Sequence, residues 1–180
     1  KLDFSRCNLM SILNFTPDSF FKPSKVENLE NLRNQIEKFK LQKVDIIDIG
    51  AESSRPGAKK ITYKEEIRRL KLFFDNIDIG QLNLKLSLDS RNFKTASSFI
   101  DYGVLIFNDI SGFKDKKFLH LLLNKNVSII IMHMQKNPEK MQENPSYEFP
   151  VIDIYEFFKA KIKFLLDNGV KKTQIIIDPG

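Results

Sequence analysis

The chain has 180 residues, 42% of them apolar and 29% charged, with a net charge of +6 and a pI near 9.3. That is enough for one domain with its own core, and no run reaches the about 18 uncharged apolar residues of a membrane helix. The lysines are scattered (Lys38, Lys40 and Lys43; Lys59 and Lys60; Lys114, Lys116 and Lys117), without zinc-finger spacing or an RNA-binding aromatic motif, so the charge points to a solvated surface and small anionic substrates, not to nucleic acid.

The start, Lys1-Leu2-Asp3-Phe4-Ser5-Arg6, has no initiator Met and no signal-peptide core, and a trimmed N-terminus is expected. Cys7, the single cysteine, allows no internal disulfide and fits a reducing compartment; a small buried apolar role is expected for it. Leu9 to Phe15 predicts a first strand. Val26, Leu29, Leu32, Ile36 and Phe39 recur at helical spacing, with Ser24 and Glu27 placed as a capping box. Val44 to Ile49 predicts strand two, with Asp45 and Asp48 as helix-facing or interior polar groups. After the loop Gly50 to Ile61, Thr62 and Glu65 predict a second capping box, and Ile67, Leu70, Phe73, Phe74 and Ile77 a helical face. Leu84 to Leu88 is strand three; Phe93, Ala96, Phe99 and Ile100 form a short helix closed by Gly103. Val104 to Phe107, a helix with Phe118, Leu121 and Leu122, and Val127 to Met132 follow. Beyond a loop from His133 to Pro150, the residues Val151, Ile154, Tyr155, Phe158, Ile162, Leu165 and Leu166 form an amphipathic helix ended by Gly169. Ile175 to Ile177 is strand six.

Continuous apolar strands alternating with helices predict an α/β fold with a parallel, helix-covered sheet. An open doubly wound sheet and a (β/α)8 TIM barrel both satisfy the pattern. Six strands in 180 residues extrapolate to eight in about 250, the usual barrel size, and the last strand runs into Asp178-Pro179-Gly180 with no covering helix. The expectation is a single barrel domain over 1–180 with about six of eight βα units, lacking its C-terminal ones.

Polar residues gather just past the predicted strand ends: Asn14 to Phe20, Gly50 to Gly57, Asp89-Ser90, Asn108-Asp109, His133 to Gln135, and Asp178. In a barrel these ends converge on the catalytic face. Asp89, Asn108 and Asp178 at the mouth suit a heterocycle that shows amino and ring N–H donors, and paired contacts of that kind discriminate sharply. Asn14 offers a neutral oxygen suited to a Mg2+ that keeps most of its water. The planar fork of Arg55 suits a phosphate or carboxylate. Asp18 and Ser54 also fit loop capping, and Asp178 fits turn chemistry. His133 has no histidine near it in sequence, His120 being on a helix, which favours a structural or supporting role. The methionines Met132, Met134 and Met141 suit apolar packing.

Several of these segments, in order, resemble the signatures of dihydropteroate synthases: Met10 to Phe20, Asp48 to Ala58, Leu88-Asp89-Ser90, Phe107 to Ile110, Ile131 to Gln135, Met141 to Tyr147 and Ile177 to Gly180. The resemblance implies a TIM barrel, and condensation of 6-hydroxymethyl-7,8-dihydropterin diphosphate with 4-aminobenzoate, with release of diphosphate. It implies that Asp89, Asn108 and Asp178 hold the pterin, that Asn14 serves Mg2+ and the diphosphate, and that Ser54, where the family usually has Thr, lies at the substrate site. It also implies that Arg55 and Phe20 sit on closing loops that shape the 4-aminobenzoate pocket. The resemblance thus makes Asp89 and Arg55 the catalytic candidates and implies a cytoplasmic enzyme, with a homodimer possible for the full-length form. Phe21-Lys22-Pro23-Ser24 replaces a Gly-rich continuation and predicts a stiffer first loop. A Lys after strand seven and an Arg and His near strand eight, which the family uses, lie outside the sequence, so the family's site is partial in this chain and its unclosed barrel is expected to have open edges. Two other readings exist: a pterin-dependent methyltransferase, which shares the Asp and Asn contacts but usually lacks the Glu-Ser-Ser-Arg-Pro-Gly and Thr-Pro-Asp-Ser-Phe loops, and an inactive pterin-binding remnant.

Overall fold

A computed structural model describes residues 3, 5–16, 26, 28–53, 60–113, 115–123, 125–135 and 144–180. Six strands, β1 (Met10–Asn14), β2 (Ile46–Gly50), β3 (Lys85–Asp89), β4 (Val104–Asp109), β5 (Ser128–Met132) and β6 (Ile175–Asp178), form one sheet in the order β1-β2-β3-β4-β5-β6. All five pairings are parallel. The intervening helices are α1 (Leu29–Leu41), α2 (Tyr63–Phe74), α3 (Phe93–Phe99), α4 (Lys116–Leu123) and α5 (Pro150–Asp167). Each strand lies beside its sequence successor. A doubly wound sheet would reverse its order at a switch point, so of the two architectures the sequence allows, the progression is that of the barrel.

The apolar residues divide into two cores, as the barrel requires. Helix-facing strand residues such as Leu13, Ile47, Ile49, Leu86, Leu88, Phe107, Ile129 and Ile131 pack with Leu32, Ile36, Leu70, Phe73, Phe99, Phe118 and Leu165 from the helices. The alternate strand residues Ile46, Ile106 and Ile130, with Met10 and Ile176 against them, form a separate interior cluster. Alternation along each strand explains the split, and burial of each large side chain is worth about 1.5–3 kcal/mol. Stacked Phe74 and Phe99 rings, with centroids 4.3 Å apart, join α2 to α3. Beside the edge strand β6, α5 leaves Val151, Tyr155 and Leu166 exposed, along with Ile177 of β6 itself.

Local chemistry departs from the sequence reading in four places. Helix α1 starts at Leu29, three residues later than the apolar spacing suggests, because Asn28 caps it, its Oδ1 accepting from the Asn31 N–H at 2.9 Å. Ser24 and Glu27 lie outside the described residues. Thr62 caps α2 as expected, accepting from Glu65 N–H at 3.3 Å, but the Glu65 carboxylate turns to Arg68 and Arg69, which outbid the backbone with charged donors. Asp45 precedes β2, where it accepts from Arg6 and from the Leu9 N–H, tying the N-terminal segment under the sheet rather than facing the helices or the interior. Cys7 is exposed, since it lies in that segment ahead of β1, outside both cores.

Candidate functional site

The sheet register aligns the polar strand ends. Asn14 pairs with Gly50, Gly50 with Asp89, and Asp89 with Asn108, so four neighbouring strands bring these residues to one row. The row lies on the interior face: Asn14 is four residues beyond Met10 on β1, and Asn108 two beyond Ile106 on β4, both of the interior cluster. Gly50 makes the row possible. A Cβ there would stand 3.2 Å from Asn14 Oδ1 and 3.2 Å from Asp89 Oδ2, so the amide and the carboxylate converge over its bare Cα.

Asp48 enters from one interior level below. Its Oδ2 accepts from Asn108 Nδ2 at 2.9 Å, which fixes the amide with its oxygen turned away from Asp48. It was legible in the sequence only as a polar interruption of strand two; that it orients Asn108 depends on a contact 60 positions away. Burial pushes the Asp48 carboxyl up, opposed by the neighbouring Ser87 hydroxyl and the hydrogen bond from Asn108. Asp89 is raised well above the usual carboxylate range, first by burial and then by the surrounding charges of Asp48, Asp109, Glu66 and Glu52. The mouth therefore resists full ionisation of its clustered acids. It favours a ligand that brings N–H donors or positive charge, and such a ligand relieves the repulsion it finds.

The flanking loops are internally braced. Asp109, 1% exposed, accepts from the Ser111 N–H and hydroxyl and from the Phe113 N–H, shaping the turn after β4. The Gln135 amide bonds Ser146 in both directions, at 2.6 and 3.0 Å, drawing together the ends of the segment before α5. His133 is buried among the rings of Tyr147, Phe157 and Phe158, which agrees with a supporting role. Asp178 ends β6 level with Met132 and occupies the interior-facing register two residues beyond Ile176. It is exposed, and its Oδ1 accepts from the Gly180 N–H at 3.0 Å, so turn chemistry does engage it. Phe20, Ser54 and Arg55 lie outside the described residues, as does the Phe21–Ser24 departure. The chain leaves and re-enters the described region beside the site, however: the Val26 N–H donates to Asn14 O at 2.9 Å, so the first loop begins and ends at Asn14.

Among the described residues no three His, Cys, Asp or Glu side chains gather into a metal-binding group. The Asn14 and Asp89 oxygens over Gly50 suit a hard cation that keeps most of its water and takes its other ligands from a substrate phosphate.

Comparison with known proteins agrees with this geometry. The family described as pterin binding enzyme matches residues 10–180. A dihydropteroate synthase of Haemophilus influenzae is 34% identical over 179 residues, covering 99% of this chain and 65% of that protein. The Burkholderia cenocepacia dihydropteroate synthase complexed with 7,8-dihydropteroate superposes with a TM-score of 0.82 at 30% identity, covering 99% of this chain and 60% of that one. The Xanthomonas albilineans dihydropteroate synthase with 4-aminobenzoic acid gives a TM-score of 0.84 at 27% identity, covering 99% and 63%. This chain thus spans 60–65% of the length of these proteins. With its barrel progression, its row of strand-end polar residues and a family match over all six strands, the chain belongs to the pterin binding enzymes.

Proposed function

We propose that this chain is the pterin-holding part of a dihydropteroate synthase, which condenses 6-hydroxymethyl-7,8-dihydropterin diphosphate with 4-aminobenzoate. The observation that carries the reading is the aligned row Asn14, Gly50, Asp89 and Asn108, with Asp48 bonded to Asn108. Asp89 accepts from the pterin amino and ring N–H groups, Asn108 pairs with the ring beside it, and Asp178 closes the far side of the pocket. In the reaction the C–O bond to the diphosphate breaks and its electron pair leaves with the diphosphate. The arylamine nitrogen then bonds to the exocyclic carbon and loses a proton. Positive charge developing on the pterin favours the ionised form of Asp89 and Asp48 and is stabilised by it. Mg2+, held at Asn14, would supply neutralisation of the diphosphate charge. Ser54, Arg55 and Phe20 belong to the 4-aminobenzoate side, where the guanidinium meets the benzoate carboxylate.

We read 1–180 as one pterin-binding domain, acting in the cytoplasm and, in full-length form, as a homodimer. No helix among the described residues is long and apolar enough to cross a membrane. The test is titration of the full chain with the pterin diphosphate, followed by 4-aminobenzoate. The expected outcome is micromolar pterin binding, of the order usual for enzyme substrates, that Asn108→Ala weakens at least about tenfold. Equal affinity for both proteins removes the pterin from this row.

A further inference from the structure

The loop after β2 and the loop after β3 are joined by one ion pair. Arg91 Nε donates to Glu52 Oε2 at 2.7 Å and Arg91 Nη2 to Glu52 Oε1 at 3.0 Å, a bidentate fork between side chains only 19% and 15% exposed. Glu52 Oε1 also accepts from the Ile61 N–H at 3.2 Å. One carboxylate therefore pins the start of the β2–α2 loop to its own end, nine residues on, and to the neighbouring loop. A second contact secures the same root: Arg69 of α2 donates to Ala51 O at 3.1 Å while its Nε is held by Glu65 at 2.8 Å.

The other end of the pair reaches the pterin row. Arg91 is two residues past Asp89, and the Ser90 N–H between them donates to Asn108 O at 3.0 Å. Glu52 and Ile61, which flank the stretch carrying Ser54 and Arg55, are thus fastened to the strand end that carries Asp89, through side chains that touch neither substrate in the assignment above. We propose that Glu52 and Arg91 are a positioning pair that sets the β2–α2 loop, and with it the 4-aminobenzoate side of the site, against the Asp89 strand end. Separating them loosens the loop and weakens the use of 4-aminobenzoate without removing the pterin. The loop-setting part stands on geometry alone; the consequence for 4-aminobenzoate rests on the proposed synthase reading.

The experiment compares Arg91→Ala, Arg91→Lys and the exchange of Glu52→Arg with Arg91→Glu, all in the full chain. Amide hydrogen exchange over 52–61 is the first readout. It is expected to accelerate about tenfold in Arg91→Ala and less in Arg91→Lys, which keeps the charge but not the fork. The exchanged pair should restore part of the protection. Affinity for 4-aminobenzoate, titrated with the pterin diphosphate present, is expected to fall about tenfold while pterin affinity stays within about twofold. Unchanged exchange over 52–61 in Arg91→Ala overturns the proposal, and so does loss of pterin affinity in step with 4-aminobenzoate use. Should Arg91→Ala unfold, Arg91→Lys carries the same comparison: exchange and 4-aminobenzoate affinity identical to the parent overturn the need for the fork. If the parent chain binds no pterin diphosphate while exchange over 52–61 still responds, the functional reading falls and the loop-setting pair stands.

Discussion

Two carboxylates three residues apart on the same stretch of chain have opposite fates. Asp45, just before β2, receives Arg6 and the Leu9 N–H, and these hydrogen bonds pull its carboxyl down to about 2. Asp48, inside β2, is buried and raised, and the charges acting on its neighbour Asp89 are four carboxylates, Asp48 among them. The lower end of the sheet uses acid to fasten the chain. The upper end holds acid against its own preference, at a cost in stability that a ligand can recover. Among the described residues, burial without a cation partner, repeated on adjacent strands, marks the binding end better than polarity alone.

The largest effect that would break this contrast is expected from Asp89→Asn. Pterin affinity should fall at least about a hundredfold, because an amide presents one acceptor where the ring offers two donors. Stability should move the other way. The folded Asp89 holds its proton more tightly than the unfolded chain does, so stability is undiminished below the unfolded carboxylate range and falls as pH rises toward the raised folded value. The Asn variant escapes that loss and should melt higher than the parent at pH 7, with the gap closing near pH 4. A melting difference that is the same at both pH values would refute the repulsion.

Gly50→Ala sharpens the contrast by geometry instead of charge. The new methyl would press on Asn14 Oδ1 and Asp89 Oδ2, each 3.2 Å from it. Overpacking of this kind costs about 1–3 kcal/mol, and calorimetric titration should show pterin binding weakened about tenfold with the secondary structure retained. Binding equal to the parent would mean that the two oxygens yield freely. The smallest effect belongs to Asp45→Asn. Its lowered carboxyl contributes stability above the unfolded value of 3.8 that is lost as pH falls toward about 2, so the variant should show a shallower acid transition and unaltered pterin binding. Weaker pterin binding in this variant would tie the two ends of the sheet together.

What the sequence revealed follows from which interactions are local. Strand and helix alternation, the barrel progression and the placement of Asn14, Asp89 and Asn108 at strand ends depend on periodicity and position, and they were legible. The capping of α1 by Asn28 was obscured because Ser24 and Glu27 match the same spacing rule four residues earlier. Asp48 was visible as an oddity only, since its meaning comes from Asn108 on a strand two positions away in the sheet. The Glu52–Arg91 fork joins residues 39 apart on different loops, and no pattern in either loop announces it. Cys7 shows the limit of residue-type preference: small and usually buried, it lies here in a leading segment that no core reaches.

The strictly successive strand order also bears on how the protein is made. Each strand docks on the one translated just before it, so the sheet can grow along a single edge as the chain leaves the ribosome, with no finished pairing reopened. At each stage the first and the newest strands are the open edges of the sheet, as β1 and β6 are among the described residues, with Ile12 52% and Ile177 53% exposed. A nascent intermediate of this shape carries its sticky surface at a moving front, and chaperone demand should peak between the emergence of one strand and the arrival of the next.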